Sequence, residues 1–476
     1  MIGSLVALAL AAAPVAPPSL EGASATLLLA RLDRMGRMVS FLDRAGQHSV
    51  LFRPASWQGD LHPLLSFDPT RPDSVSAAGI DPAGGLSISV FPEGRVTCVA
   101  LSDPSRYEPP AQARLAGLGA VGRARDAGAS VVVAAVKGHA VAGYVIRGRQ
   151  SCATEGPRSE ELLRKAAKAL ARPPPRPPWA SAASAEDSFY AVSGSTTVQL
   201  TGKLDVLEVR GSTRGAGGFP GLRSGDSGLS PYGGVAPSGL LLLRARVTPD
   251  GVRQALGRFA AQLLASCEIC NADVVGSLTG HLRDQLTGEV MLRVDRVKTP
   301  PGSLRSGAAR YFSVKHAYLA EVSHPEVVSA ALESLMKLGA VRAGEDAYTL
   351  SAGTGAGAGT LLAGLSGRHL YLANDEEALK AALDAVAAAP PAPLEHGADL
   401  FADPRLVSRA LAKVSLVDLM SSRDLAPLVA VGTELGPLLT HSERLAGWID
   451  GDGKSRRFSF TWKLATQPPP DAGAGP

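Results

Sequence analysis

Cys267-Glu-Ile-Cys270 is the tightest grouping of reactive side chains in this 476-residue chain. Two thiols at that spacing can form a local disulfide, run thiol–disulfide exchange, or supply half of a zinc site. Exchange needs a thiolate stabilised at a helix N-terminus. Here Cys267 follows the end of an expected helix, where the dipole disfavours the anion. Zinc needs four ligands, only His281 is close in sequence, and no second ligand pair repeats the spacing. A structural disulfide is the favoured reading. Of the other two cysteines, Cys98 sits in a strand-like stretch, Arg95–Leu101, and Cys152 follows another, Val141–Gly148. If those stretches share a sheet, one bridge between them is geometrically easy. Four cysteines in an exported chain suggest two disulfides.

Other motifs fail on their context. Gly225-Asp-Ser-Gly228 resembles the nucleophile turn of trypsin-like proteases. It lies in a Gly-rich stretch that could not hold a triad to tolerance. Gly353-Thr-Gly-Ala-Gly-Ala-Gly359 is Gly-rich like a phosphate loop. It leads into a strand-like run, Thr360–Leu365, instead of a helix N-terminus, and no Gly-Lys-Ser/Thr follows. Asn374-Asp-Glu-Glu377 opens an expected helix, and capping explains its acidity. His139 and His369 recur beside Gly turns in the two halves, as common ancestry would give. Ser159–Ala171 predicts a helix with a basic face (Arg164, Lys165, Lys168) over Leu162, Leu163 and Ala166, as on any half-buried helix. The sequence assigns no catalytic residue, no metal ligand and no cofactor.

The elements around these motifs recur. A strand at Thr26–Leu32 and its helix have counterparts at Gly239–Val247 and Thr248–Ser266, with Thr248 as N-cap. Helix Pro72–Ala78 and strand Gly85–Val90 match helix Ala272–Gln285 and strand Gly288–Val294. Second strands follow at Val96–Leu101 and Tyr311–Val322. Helices opened by Pro104 and Pro325 then end in Leu118-Gly-Ala-Val121 and Leu338-Gly-Ala-Val341, where Gly is a natural stop. Strand pairs follow, Val131–Val136 with Ala140–Ile146, and Thr360–Leu365 with His369–Leu372. Closing helices come at Ser159–Ala171 and Asp375–Val386. These elements in one order, offset by roughly 200–230 residues, indicate a duplicated unit. The fold class expected is α+β: two tandem similar modules, each a mainly antiparallel sheet with packed helices.

The resulting division is a signal peptide at 1–25, a first module at 26–210, a Gly-rich linker at 211–239, a second module at 240–466 and a disordered tail at 467–476. The signal rests on the apolar Leu5–Val15 stretch and on Ala23-Ser24-Ala25, which places cleavage before Thr26. No later stretch is apolar for long enough to span a bilayer as a helix. A net charge of +4 and only 5% aromatic residues speak against nucleic-acid binding.

Gly79-Ile-Asp-Pro82, His369-Leu-Tyr-Leu-Ala-Asn-Asp-Glu-Glu-Ala-Leu379 and Phe401-Ala-Asp-Pro404 resemble segments of a group of bacterial envelope proteins known only as a domain of unknown function. The resemblance implies an exported protein of tandem α+β modules, and no reaction. The function expected is non-catalytic: binding a partner protein or an apolar ligand in the periplasm or at the cell surface. The alternatives are an envelope enzyme, working through Cys267/Cys270 or as a hydrolase built from distant residues, and a purely structural envelope protein.

Overall fold

A computed structural model describes residues 20–29, 31–49, 67–126, 128–172, 188–215, 221–223, 228–266, 272–298, 313–352, 359–412, 435–451 and 454–466. The chain forms two compact units that divide at Gly211/Ser212. Both mix helices with a large antiparallel sheet.

The first unit runs β1 (Ala25–Leu29), α1 (Met35–Gly46), α2 (Pro72–Ala77), β2 (Leu86–Phe91), β3 (Gly94–Ala100), α3 (Pro104–Leu118), β4 (Ala120–Asp126), β5 (Ala129–Val136), β6 (His139–Arg147), β7 (Gln150–Glu155), α4 (Ser159–Ala171), β8 (Ser188–Ser193), β9 (Thr196–Lys203) and β10 (Val206–Arg214). Across the sheet the order is β10-β9-β8-β1-β2-β3-β7-β6-β5-β4.

Alternation along the strands gives the sheet two buried faces. Leu86, Ile88, Val99, Tyr144 and Ile146 pack with Tyr107, Ala111 and Leu115 of α3. Val96, Cys98, Val145 and Cys152 pack on the other side with Leu162, Leu163, Ala166 and Leu170 of α4. The spacing of those four α4 residues is one helical stripe. Each fully buried leucine contributes roughly 1.5–3 kcal/mol. Asp103 caps α3, accepting from the Ser105 amide at 2.9 Å. The helix stops at Gly119, whose amide bonds the Leu115 carbonyl.

Leu20 to Ala25 fall within the segment expected to be a signal peptide, yet they contribute to this unit. Leu20 is buried against the α4 face, and Ala25 opens β1 between Val90 and Ser193.

The second unit contains β11 (Leu229–Ser230), β12 (Leu241–Arg246), α5 (Pro249–Ser266), α6 (Ala272–Gln285), β13 (Leu286–Val297), β14 (Val314–Val322), α7 (Pro325–Leu332), β15 (Val341–Arg342), β16 (Ala347–Ala352), β17 (Gly359–Ser366), β18 (His369–Ala373), α8 (Glu376–Ala388), β19 (Ala392–Pro393), β20 (Ala398–Ala402), α9 (Pro404–Ala412), β21 (Ser442–Gly451) and β22 (Ser455–Leu464). Its main sheet is ordered β22-β21-β20-β12-β13-β14-β18-β17-β16-β15. Thr248 caps α5, accepting from the Gly251 amide at 3.2 Å. A short 3-10 turn extends α7 to Leu338 and ends at Gly339, in the left-handed region at φ +84°, where glycine carries no Cβ penalty.

The segment 211–239, expected to be a linker, is in large part built into the fold. Residues 211–214 complete β10, and residues 228–239 form a strap over the sheet of the second unit. Residues 216–220 and 224–227 lie outside the described residues. A Gly-rich stretch suggests flexibility, but Gly233 and Gly234 serve close approach. A Cβ on either would collide with the carbonyl of Ala392 or Pro390.

Candidate functional site

In the first unit a small cleft opens between α3 and the sheet. Phe67, Val99, Ala111, Leu115 and Ala153 supply its apolar walls, and Thr97, Tyr107, Tyr144 and Arg114 its polar groups. It has room for little more than a water molecule. Tyr107 and Tyr144 meet edge to face with centroids 6.0 Å apart, a favourable arrangement of ring quadrupoles. Burial pushes the Tyr107 hydroxyl above its ordinary pKa, so it stays a neutral donor. At the polar end Glu155 accepts from both Arg95 and Arg114, two cations on one carboxylate.

The roof of this cleft is weakened by its own sequence. Pro109 and Pro110 lie inside α3. Neither has an amide hydrogen, so two intrahelical bonds, to the carbonyls of Ser105 and Arg106, are missing.

In the second unit the strap is held by its backbone. Leu229 and Ser230 pair with Pro393 and Ala392. The Arg244 Nη1 donates to the carbonyls of Gly233 (2.6 Å) and Val235 (3.0 Å), and its Nη2 to Asp399 at 3.3 Å. Arg246 donates to the Gly228 carbonyl and pairs with Glu289 at 2.8 Å. Tyr232 is fully buried among Leu242, Met291, Leu319 and Ala382, and its hydroxyl meets His369 Nδ1 at 3.2 Å. Desolvation dominates the electrostatics. It raises the Glu289 and Asp399 carboxyls despite their arginine partners, and it lowers His369. The ionisable groups here are occupied with one another and with the strap, which makes the arrangement a clamp on that segment.

Cys98 and Cys152 form a disulfide. Cys152 lies on β7, directly opposite Cys98 on β3, and not at the end of the preceding strand. Cys267 and Cys270 lie outside the described residues, as do 225–227 and 353–358. Asp375 caps α8, accepting from the Ala378 amide at 3.1 Å. The Asn374 side chain bonds the backbone of His316 and Val314. His139 is exposed at the start of β6, whereas His369 is tied to Tyr232. Among the described residues no cluster of three or more His, Cys, Asp or Glu could hold a metal. Among the same residues no helix is long and apolar enough to cross a membrane. The clamp went unseen in the sequence because Arg244, Glu289 and Asp399 are far apart along the chain. The visible signal was charge at Arg244 and Arg246 within an otherwise apolar strand.

No family model matches the chain, and no curated protein matches it. Among solved structures, crystal form I of TP0453 aligns at 12% identity and a TM-score of 0.27, covering 41% of this chain and 76% of that one. Crystal form III of the same protein gives 11%, 0.27, 41% and 78%. Neither fold nor function is carried over at that level of similarity.

Proposed function

We propose that this is an exported, non-catalytic binding protein of the bacterial envelope, made of two descendants of one α+β module. The duplication is supported by strand order. Among the described residues each unit lays ten strands in one sequence of neighbours, with β1 and β12, β2 and β13, β3 and β14, β7 and β18 in equivalent places, so that the counterpart of β17–β18 is β6–β7 and not Val131–Val136 with Ala140–Ile146, and His139 and His369 are not equivalent. Each closes its core with a corresponding helix, α4 or α8.

The ligand class we propose is a small amphiphile with an apolar tail and an anionic head, admitted only if α3 lifts, because the closed cleft holds little more than a water molecule. The observation that carries this reading is the cleft under α3. Aromatic and aliphatic side chains line it, Arg114 and Arg95 share one carboxylate at its end, and a proline pair weakens its roof. An anionic head would compete with Glu155 for the guanidiniums, and a tail would enter as α3 lifts.

The test is titration of the full chain with dansyl-undecanoic acid, read by fluorescence. Saturable binding is expected, weakened about tenfold by Arg114→Gln, the size of one charge-assisted hydrogen bond. It is also expected to be lost in Ala111→Phe, which fills the cleft. Absence of saturable binding, or equal affinity in a folded Ala111→Phe variant, overturns the reading.

A further inference from the structure

We infer that Leu20–Ala25 belong to the mature protein, so that a signal-peptidase cut falls upstream of Leu20 and not before Thr26. The inference rests on the export reading only for the existence of a cut. Its substance is that the fold needs these residues. Leu20 is 6% exposed and packs with Phe91, Val96, Leu162, Leu163 and Leu170, between the sheet and α4. The Ser24 amide and hydroxyl both donate to the Val90 carbonyl, at 2.8 and 2.9 Å. The Ser193 hydroxyl donates to the Ser24 carbonyl at 3.2 Å.

A cut before Thr26 would break all of these contacts and create a charge in the wrong place. Thr26 is 8% exposed. It lies on the central strand β1 between Ser89 and Val192. A new α-ammonium there would begin inside a three-strand ladder, away from water, where an ionised amine is costly. The second unit shows the same use of a segment before its first strand. Tyr232 and Val235 fill the space between the sheet and α8 just ahead of β12. Leu20 does the corresponding work ahead of β1.

The experiment is intact-mass measurement and N-terminal sequencing of the protein recovered from the envelope of a bacterium expressing the full chain. A first residue at or before Leu20 is expected. A folded product that begins at Thr26 overturns the inference. An unprocessed Met1 terminus overturns the cut proposed upstream of Leu20, whereas absence of the protein from the envelope fraction sinks the export reading, so the two failures are distinguishable. A second measurement compares chains that start at Ser19 and at Thr26. The shorter chain is expected to melt about 5 °C or more lower, from the lost leucine packing. Equal melting temperatures overturn the inference.

Discussion

Arg246 and Glu289 face each other directly across β12 and β13, 2.8 Å apart, with side chains 3% and 10% exposed. Burying both charges is costly, and their attraction offsets that cost only while both remain. Arg246→Ala is expected to destabilise the second unit by about 3–5 kcal/mol, because Glu289 is left buried without its cation. The double variant Arg246→Met/Glu289→Leu is expected to lie within about 1 kcal/mol of the parent or above it. Urea denaturation curves of the three proteins separate these outcomes.

The strap is expected to depend on its glycines more than on its hydroxyl. Tyr232→Phe loses one hydrogen bond, to His369, and should cost about 0.5–1.5 kcal/mol. Gly233→Ala brings a methyl group onto the Ala392 carbonyl and should release the strap. Limited proteolysis checks this, with cleavage around residues 228–238 expected in Gly233→Ala and not in Tyr232→Phe.

Removing the bridge with Cys98→Ser/Cys152→Ser should cost about 4 kcal/mol on the chain-entropy account, for a loop of 54 residues. The check is thermal unfolding with and without reductant. Reductant should lower the parent melting temperature toward that of the double variant.

Acid should weaken the second unit through two histidines. Burial holds both His316 and His369 below the ordinary imidazole value of 6.5. Around His369, Glu321 favours the proton and Arg368 opposes it. The unfolded chain therefore takes up protons that the folded chain refuses. Stability is full above about pH 6.5 and falls as pH drops from there through the lowered folded values. Glu289 and Asp399, raised by burial, act with the opposite sign: their contribution falls as pH rises through the carboxylate range. Urea midpoints of His316→Gln/His369→Gln at pH 7.5 and 5.5 should differ less than those of the parent.

Local structure was legible wherever periodicity and capping chemistry agreed. Ser159–Ala171 and Ala272–Gln285 occur as read because each sets its apolar residues on one buried stripe, Leu162, Leu163, Ala166 and Leu170 in the one and Val275, Leu278 and Leu282 in the other. Strands β4 and β7 were not read. β4 carries Gly122, Arg123, Arg125 and Asp126 and is largely exposed, so burial imposes little pattern on it. β7 is short and follows a tight Gly148 turn. The strap was the largest departure. Gly233 and Gly234 look identical in sequence whether they permit motion or permit contact, and only the facing Pro390 and Ala392 decide between the two.

The Cys98–Cys152 bond encloses Val99, the whole of α3, and Gly143 and Tyr144 in one covalent ring. Roof and most of the floor of the cleft are thus tethered at a common knot. On the proposed binding reading, a guest would enter by flexing inside the ring, with α3 yielding first at Pro109 and Pro110. Reduction would leave β3 and β7 joined by their backbone ladder alone, and it would be felt first beneath α4, where both sulfurs pack.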